Sequence, residues 1–129
     1  MLKVRTQKLG GVAILCLQGR MAFGETEELS EAVRSQSNAS MVVLDFAQVE
    51  LIDAGGLGVL LRLREVTESR GTEFRLINVN RLVQQMLELT RLDSVFKVSS
   101  RHDGRSVTQD IRVSGKIDTP WPACAETQA

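Results

Sequence analysis

The chain has 129 residues, 43% of them apolar and 25% charged, the composition of one globular domain able to bury a core without metal or disulfide staples. Acidic and basic residues balance at 16 each, which removes the basic excess that captures nucleic acid or an anionic membrane surface. Tyrosine is absent and aromatic residues make up 4%, too few for a platform that stacks nucleic-acid bases.

The opening KVRTQKLGGVAILCLQG reads as a β-hairpin, with Val4 starting a short strand, Gly10-Gly11 in the turn and VAILCL as a buried second strand. GETEELSEAVRSQ follows as a short amphipathic helix. Glu25, Glu27 and Glu28 are expected in its first turn, where the macrodipole favours them, and Leu29, Ala32 and Val33 on its inward face. MVVLDF at 41–46 is a continuous apolar run, the mark of a strand covered on both sides. A helix is expected from about Gly55 to Arg70, closed by Gly71. EFRLINV at 73–79 reads as a strand. Asn80 is placed to cap a helix over RLVQQMLELT, whose Leu82, Val83, Met86, Leu87 and Leu89 form a wide apolar stripe. SVFKV at 94–98 is the last expected strand. Alternating strands and helices imply an α/β fold with a mixed, mostly parallel sheet and right-handed crossovers, the hairpin adding antiparallel pairing at one side.

Apolar density falls after Ser99, so residues 1–98 are expected to form the domain and 99–129 a polar, flexible tail, in which Asp110–Val113 is a candidate edge strand. Cys16 lies in the apolar run and Cys124 in the tail. Without a CxxC or Cys/His cluster, the expectation is a small buried thiol and a separate tail thiol, with no metal site. MLKVRTQ lacks a basic segment followed by an apolar stretch, and no run reaches membrane-spanning length, so a cytoplasmic setting is expected.

The chemistry-bearing stretch is LIDAGGLG at 51–58. Asp53 stands where a strand–loop hands over to a helix, and its carboxylate is placed to accept from the free backbone N–H groups of the first turn. Leu57, Leu60, Leu61, Leu63 and Val66 are expected to seek the core. Gly55, Gly58, Arg62, Glu65 and Ser69 then share the outer stripe, bare at its amino end and charged further along. A glycine-paved helix end suits docking by another surface better than it suits catalysis. GGLG lacks the lysine of a P-loop and the spacing of a dinucleotide fingerprint. His102, the one histidine, sits beside Asp103 in the tail with no nucleophile or second base paired to it by motif. No catalytic residue and no cofactor are assigned.

The string from VVLDF through IDAGGLGVLL, with the Gly19-Arg20-Met21 corner before it and LELTRLDSVF after it, resembles the STAS domain family, specifically the bacterial anti-sigma-factor antagonists. The likeness runs from the hairpin to Val98, roughly three quarters of the chain. It implies a mixed sheet with helices mainly on one face. In typical members the aligned segment reads Asp-Ser-Ser-Gly-Leu-Gly, and the second serine is phosphorylated by the partner, an ATP-binding anti-sigma factor of serine-kinase fold. Asp53 matches the aspartate, Ala54 the first serine, Gly55 the acceptor, and Gly56-Leu57-Gly58 the remainder. The acceptor hydroxyl is therefore missing, and no Ser or Thr lies between Leu51 and Leu61. The resemblance implies a non-enzymatic module that docks such an anti-sigma factor through Asp53, Ala54, Gly55, Gly56, Gly58 and Arg62 and frees its sigma factor. The alternative is a STAS subunit of a transport or stress-sensing complex. A homodimer stays open, and neither nucleic acid nor membrane is an expected partner.

Overall fold

A computed structural model describes residues 2–100 of the chain. The expected edge strand at 110–113, His102 and Cys124 lie outside the described residues. Strand β1 (Lys3–Leu9) pairs antiparallel with β2 (Val12–Met21), Leu9 opposite Val12 across a two-residue turn. Gly10 takes φ +59° there, a left-handed conformation that glycine adopts without a steric penalty. Helix α1 (Glu27–Arg34), β3 (Met41–Ile52), α2 (Ala54–Ser69), β4 (Glu73–Val79), α3 (Arg81–Leu89) and β5 (Lys97–Ser100) complete the order. One sheet runs β1-β2-β3-β4-β5, with every pair after the first parallel. The expected α/β architecture is the one observed.

Period-two alternation sorts the strand side chains onto two faces. Ala13, Leu15, Leu17, Val42, Leu44, Phe74 and Leu76 point to the helical side and meet Leu29 and Val33 of α1, Leu57, Leu60 and Leu63 of α2, and Val83 and Leu87 of α3. Full burial of an aliphatic side chain of this size stabilises a fold by roughly 1.5–3 kcal/mol, so α2, with three buried leucines, is anchored firmly. Val12, Ile14, Cys16, Met41, Val43 and Ile77 form a separate buried cluster with Leu9 packed against it.

Several boundaries differ from the sequence reading. β3 continues through Ile52, because its second half pairs with β2 alone: Gln18 opposite Gln48, Gly19 opposite Val49, Met21 opposite Ile52, with register shifts between. This extension delivers residue 53 to the start of α2. Glu25 lies before α1 and forms an ion pair with Arg20 at 2.9 Å, leaving Glu27 and Glu28 in the first turn. The last strand begins at Lys97, since Val95 and Phe96 sit in a turn whose N–H groups bond to the Leu92 carbonyl. The α3 stripe is narrower than the spacing suggests: Val83 and Leu87 are buried, whereas Leu82 and Leu89 are exposed. Leu61 and Val66 are half-buried instead of core, and Thr67 is fully buried on the inner face of α2. Cys16 is not a simple buried thiol; it is disulfide-bonded.

Candidate functional site

Asp53 joins three elements. Its backbone is extended, as an N-cap requires, and Oδ1 accepts from the Gly56 N–H at 2.9 Å. Oδ2 accepts from the Phe23 N–H at 3.2 Å, in the corner that follows β2. The Asp53 N–H donates to the Met21 carbonyl at 3.3 Å. The carboxylate is held below its ordinary pKa, first by the Gly56 N–H and then by the Phe23 N–H. Its capping role, read from the sequence, is the one observed, and the bond to Phe23 is an addition that local sequence could not reveal.

The three glycines of the turn have different reasons to be glycine. A Cβ on Gly56 would run into the carbonyl oxygen of Met21, with the Met21 carbonyl carbon at 2.9 Å, so the start of α2 lies directly on β2 backbone. A Cβ on Gly55 would stand 2.7 Å from Cβ and 3.0 Å from Cα of Phe23. Gly55 is therefore roofed and half-buried, not bare. Gly58 has nothing within 4 Å of the Cβ position and faces open space.

The outer surface of α2 is thus Ala54, Gly58, Arg62, Glu65 and Ser69, all exposed. Of the residues singled out in the sequence, Ala54, Gly58 and Arg62 share this surface, Gly55 lies at its edge under Phe23, Asp53 braces it from below and Gly56 is buried. Phe23 was missed. It is 83% exposed, beside Gly55, and held by the Asp53 carboxylate. Its only sequence signal is a large apolar residue in a corner outside any periodic element, followed by Gly24 at φ +81°. The ensemble is an open helix end at Gly58 with one exposed aromatic, Phe23, beside Gly55. Among the described residues no group of three His, Cys, Asp or Glu side chains is placed to hold a metal, and no helix is long and apolar enough to cross a membrane.

The STAS domain model matches residues 3–104. The Bordetella bronchiseptica protein named "Putative anti-sigma factor antagonist BtrV" is 26% identical over 104 residues, covering 79% of this chain and 90% of that protein. In structure, an anti-sigma factor antagonist from Mycobacterium paratuberculosis superposes with a TM-score of 0.70 at 20% identity, over 85% of this chain and 96% of that one. A sulfate transporter family protein from Wolinella succinogenes gives 0.69 at 22% identity, over 84% and 93%. These two likenesses are ones of fold. The chain belongs to the STAS domain family.

Proposed function

We propose that this protein is a cytoplasmic, non-enzymatic anti-sigma-factor antagonist that docks an ATP-binding, serine-kinase-like anti-sigma factor on the amino end of α2 and thereby releases its sigma factor. The observation that carries the reading is the open face at Gly58, flanked by the exposed Phe23 ring and the exposed Arg62. The relative named as an anti-sigma factor antagonist, matched over 90% of its length, supports the class of partner.

The same geometry argues that this face is not switched by phosphorylation. A phosphate would add close to two negative charges and three acceptor oxygens to this face and disrupt a complementary surface. Gly55 supplies no hydroxyl, and no Ser or Thr lies between Leu51 and Leu61. A side chain at residue 55 would also require Phe23 to move. Docking is accordingly constitutive, set by protein abundance.

The test is affinity capture from native extract with wild type and Gly58→Trp, followed by identification of the bound proteins and incubation with ATP. The reading expects one ATP-binding kinase-like protein, lost with Gly58→Trp, and no phosphate on residues 53–58. Capture of a transporter or of a large stress-sensing assembly in its place, or labelling of that loop, refutes it.

A further inference from the structure

The corner between β2 and α1 is tied down more firmly than a connection requires. Residues 22–25 form a turn closed by the Glu25 N–H, which donates to the Ala22 carbonyl at 3.0 Å. Gly24, at φ +81°, takes the left-handed conformation that the third place of a type II turn demands. It is glycine for that conformation alone, since a Cβ on it would meet nothing within 4 Å. The Arg20–Glu25 ion pair at 2.9 Å clamps the base of the turn, and the Phe23 N–H is held by Asp53 Oδ2. What this corner carries is the Phe23 ring, 83% exposed, with Cδ1 3.1 Å from the Cβ position of Gly55. A ring fixed through its backbone and left in water contributes little to folding by burial, but much of the ordering cost of binding is already met.

Asp53 ties this corner to α2, and the task calls for a carboxylate. Two N–H groups from separate elements, Gly56 in α2 and Phe23 in the corner, each receive one of its oxygens. Asparagine caps a helix as well as aspartate does, but it has a single side-chain oxygen and would turn its NH2 donor toward the second N–H. Capping alone therefore does not account for aspartate at residue 53; the bond to the corner does. We propose that Phe23 is the anchor side chain of the docking surface and that Asp53 is its positioning residue, the partner offering an apolar pocket for an aromatic ring held over Gly55. This inference rests on the docking reading above and assigns Asp53 a role that is exerted through Phe23, beyond its cap on α2.

The first readout needs no partner. In the 15N-labelled full chain, the heteronuclear NOE of the Phe23 and Gly24 amides should match that of the α2 amides, and in Asp53→Asn it should fall well below it while α2 stays rigid. The second is titration of the captured kinase-like anti-sigma factor into wild type, Phe23→Ala, Asp53→Asn and the double variant. Gly24→Ala is added because it loosens the turn from the side that leaves the α2 cap intact. Phe23→Ala should weaken binding about tenfold, and Asp53→Asn and Gly24→Ala several-fold. In the Phe23→Ala background Asp53→Asn should add nothing, whereas a merely structural role would weaken both backgrounds alike. The proposal is overturned if the corner is mobile in wild type, if Asp53→Asn leaves it rigid, or if the effects of Phe23→Ala and Asp53→Asn multiply. Gly58→Trp, run alongside, separates the two readings. Affinity lost there but kept in Phe23→Ala overturns the anchor and leaves the docking site standing; affinity kept in both overturns the docking site as well.

Discussion

Adding one methyl group at each of three neighbouring glycines should produce three different outcomes. At Gly58, in the second turn of α2, alanine meets open space and gains only from backbone entropy, so Gly58→Ala should stabilise by about 0.5–1 kcal/mol. At Gly55 the new Cβ stands 2.7 Å from Cβ of Phe23. Overpacking costs about 1–3 kcal/mol where a neighbour cannot yield, and the Phe23 corner is exposed and can shift, so Gly55→Ala should cost about 1 kcal/mol. At Gly56 the obstacle is the Met21 carbonyl, which is backbone of β2, is itself bonded by the Asp53 N–H, and has no room to retreat. Gly56→Ala should cost more than about 3 kcal/mol, in the range reserved for core strain. Urea denaturation with a common slope gives all three from the midpoints. Equal effects at Gly56 and Gly58, or a Gly56→Ala protein as stable as wild type, would refute the claim that α2 rests on β2 through this turn.

Asp53→Asn should lose about 1 kcal/mol at neutral pH through its weakened bonds to the Gly56 and Phe23 N–H groups. Because the folded carboxylate is held below its ordinary pKa, its contribution is complete above that ordinary value and fades as pH falls through the folded one. The gap between wild type and Asp53→Asn in urea midpoint should accordingly close on acidification. Glu73, whose burial raises its pKa but whose bonds and charge attraction to Arg75 and Lys97 lower it further, loses its share in both proteins alike and cancels. Phe23→Ala should change stability by less than about 0.5 kcal/mol, since the ring is exposed, yet weaken partner binding by about 1–2 kcal/mol in titration calorimetry. Thr67→Val should raise the urea midpoint by the equivalent of about 1 kcal/mol, because the Thr67 hydroxyl is buried without a hydrogen-bond partner.

What the sequence disclosed was whatever depends on local pattern. The Asp53 and Asn80 caps, the Gly10 turn and the Gly71 helix stop are each set by the residues beside them, and each is in place. The failures arise where partners distant in the chain decide. The expected strand stops at Phe46, whereas residues 47–52 continue it because β2 pairs with them. Leu82 and Leu89 have helical spacing that fits an apolar stripe, but α3 buries only Val83 and Leu87 fully, with Met86 partly packed against the core. Phe23 has no local reason to stand over Gly55; the bond from its N–H to Asp53, thirty residues later, puts it there. Gly55, Gly56 and Gly58 look alike in the sequence and differ only in what lies across from them.

Titration of the captured kinase-like anti-sigma factor into Gly58→Trp tests the docking account most directly, because residue 58 is exposed and a Cβ there meets nothing within 4 Å. The account predicts a protein with a urea midpoint at or above that of wild type and affinity reduced at least about a hundredfold, the loss of roughly 2.7 kcal/mol that a blocked anchor surface entails. Undiminished affinity in the folded variant would place the partner on another face and contradict the account.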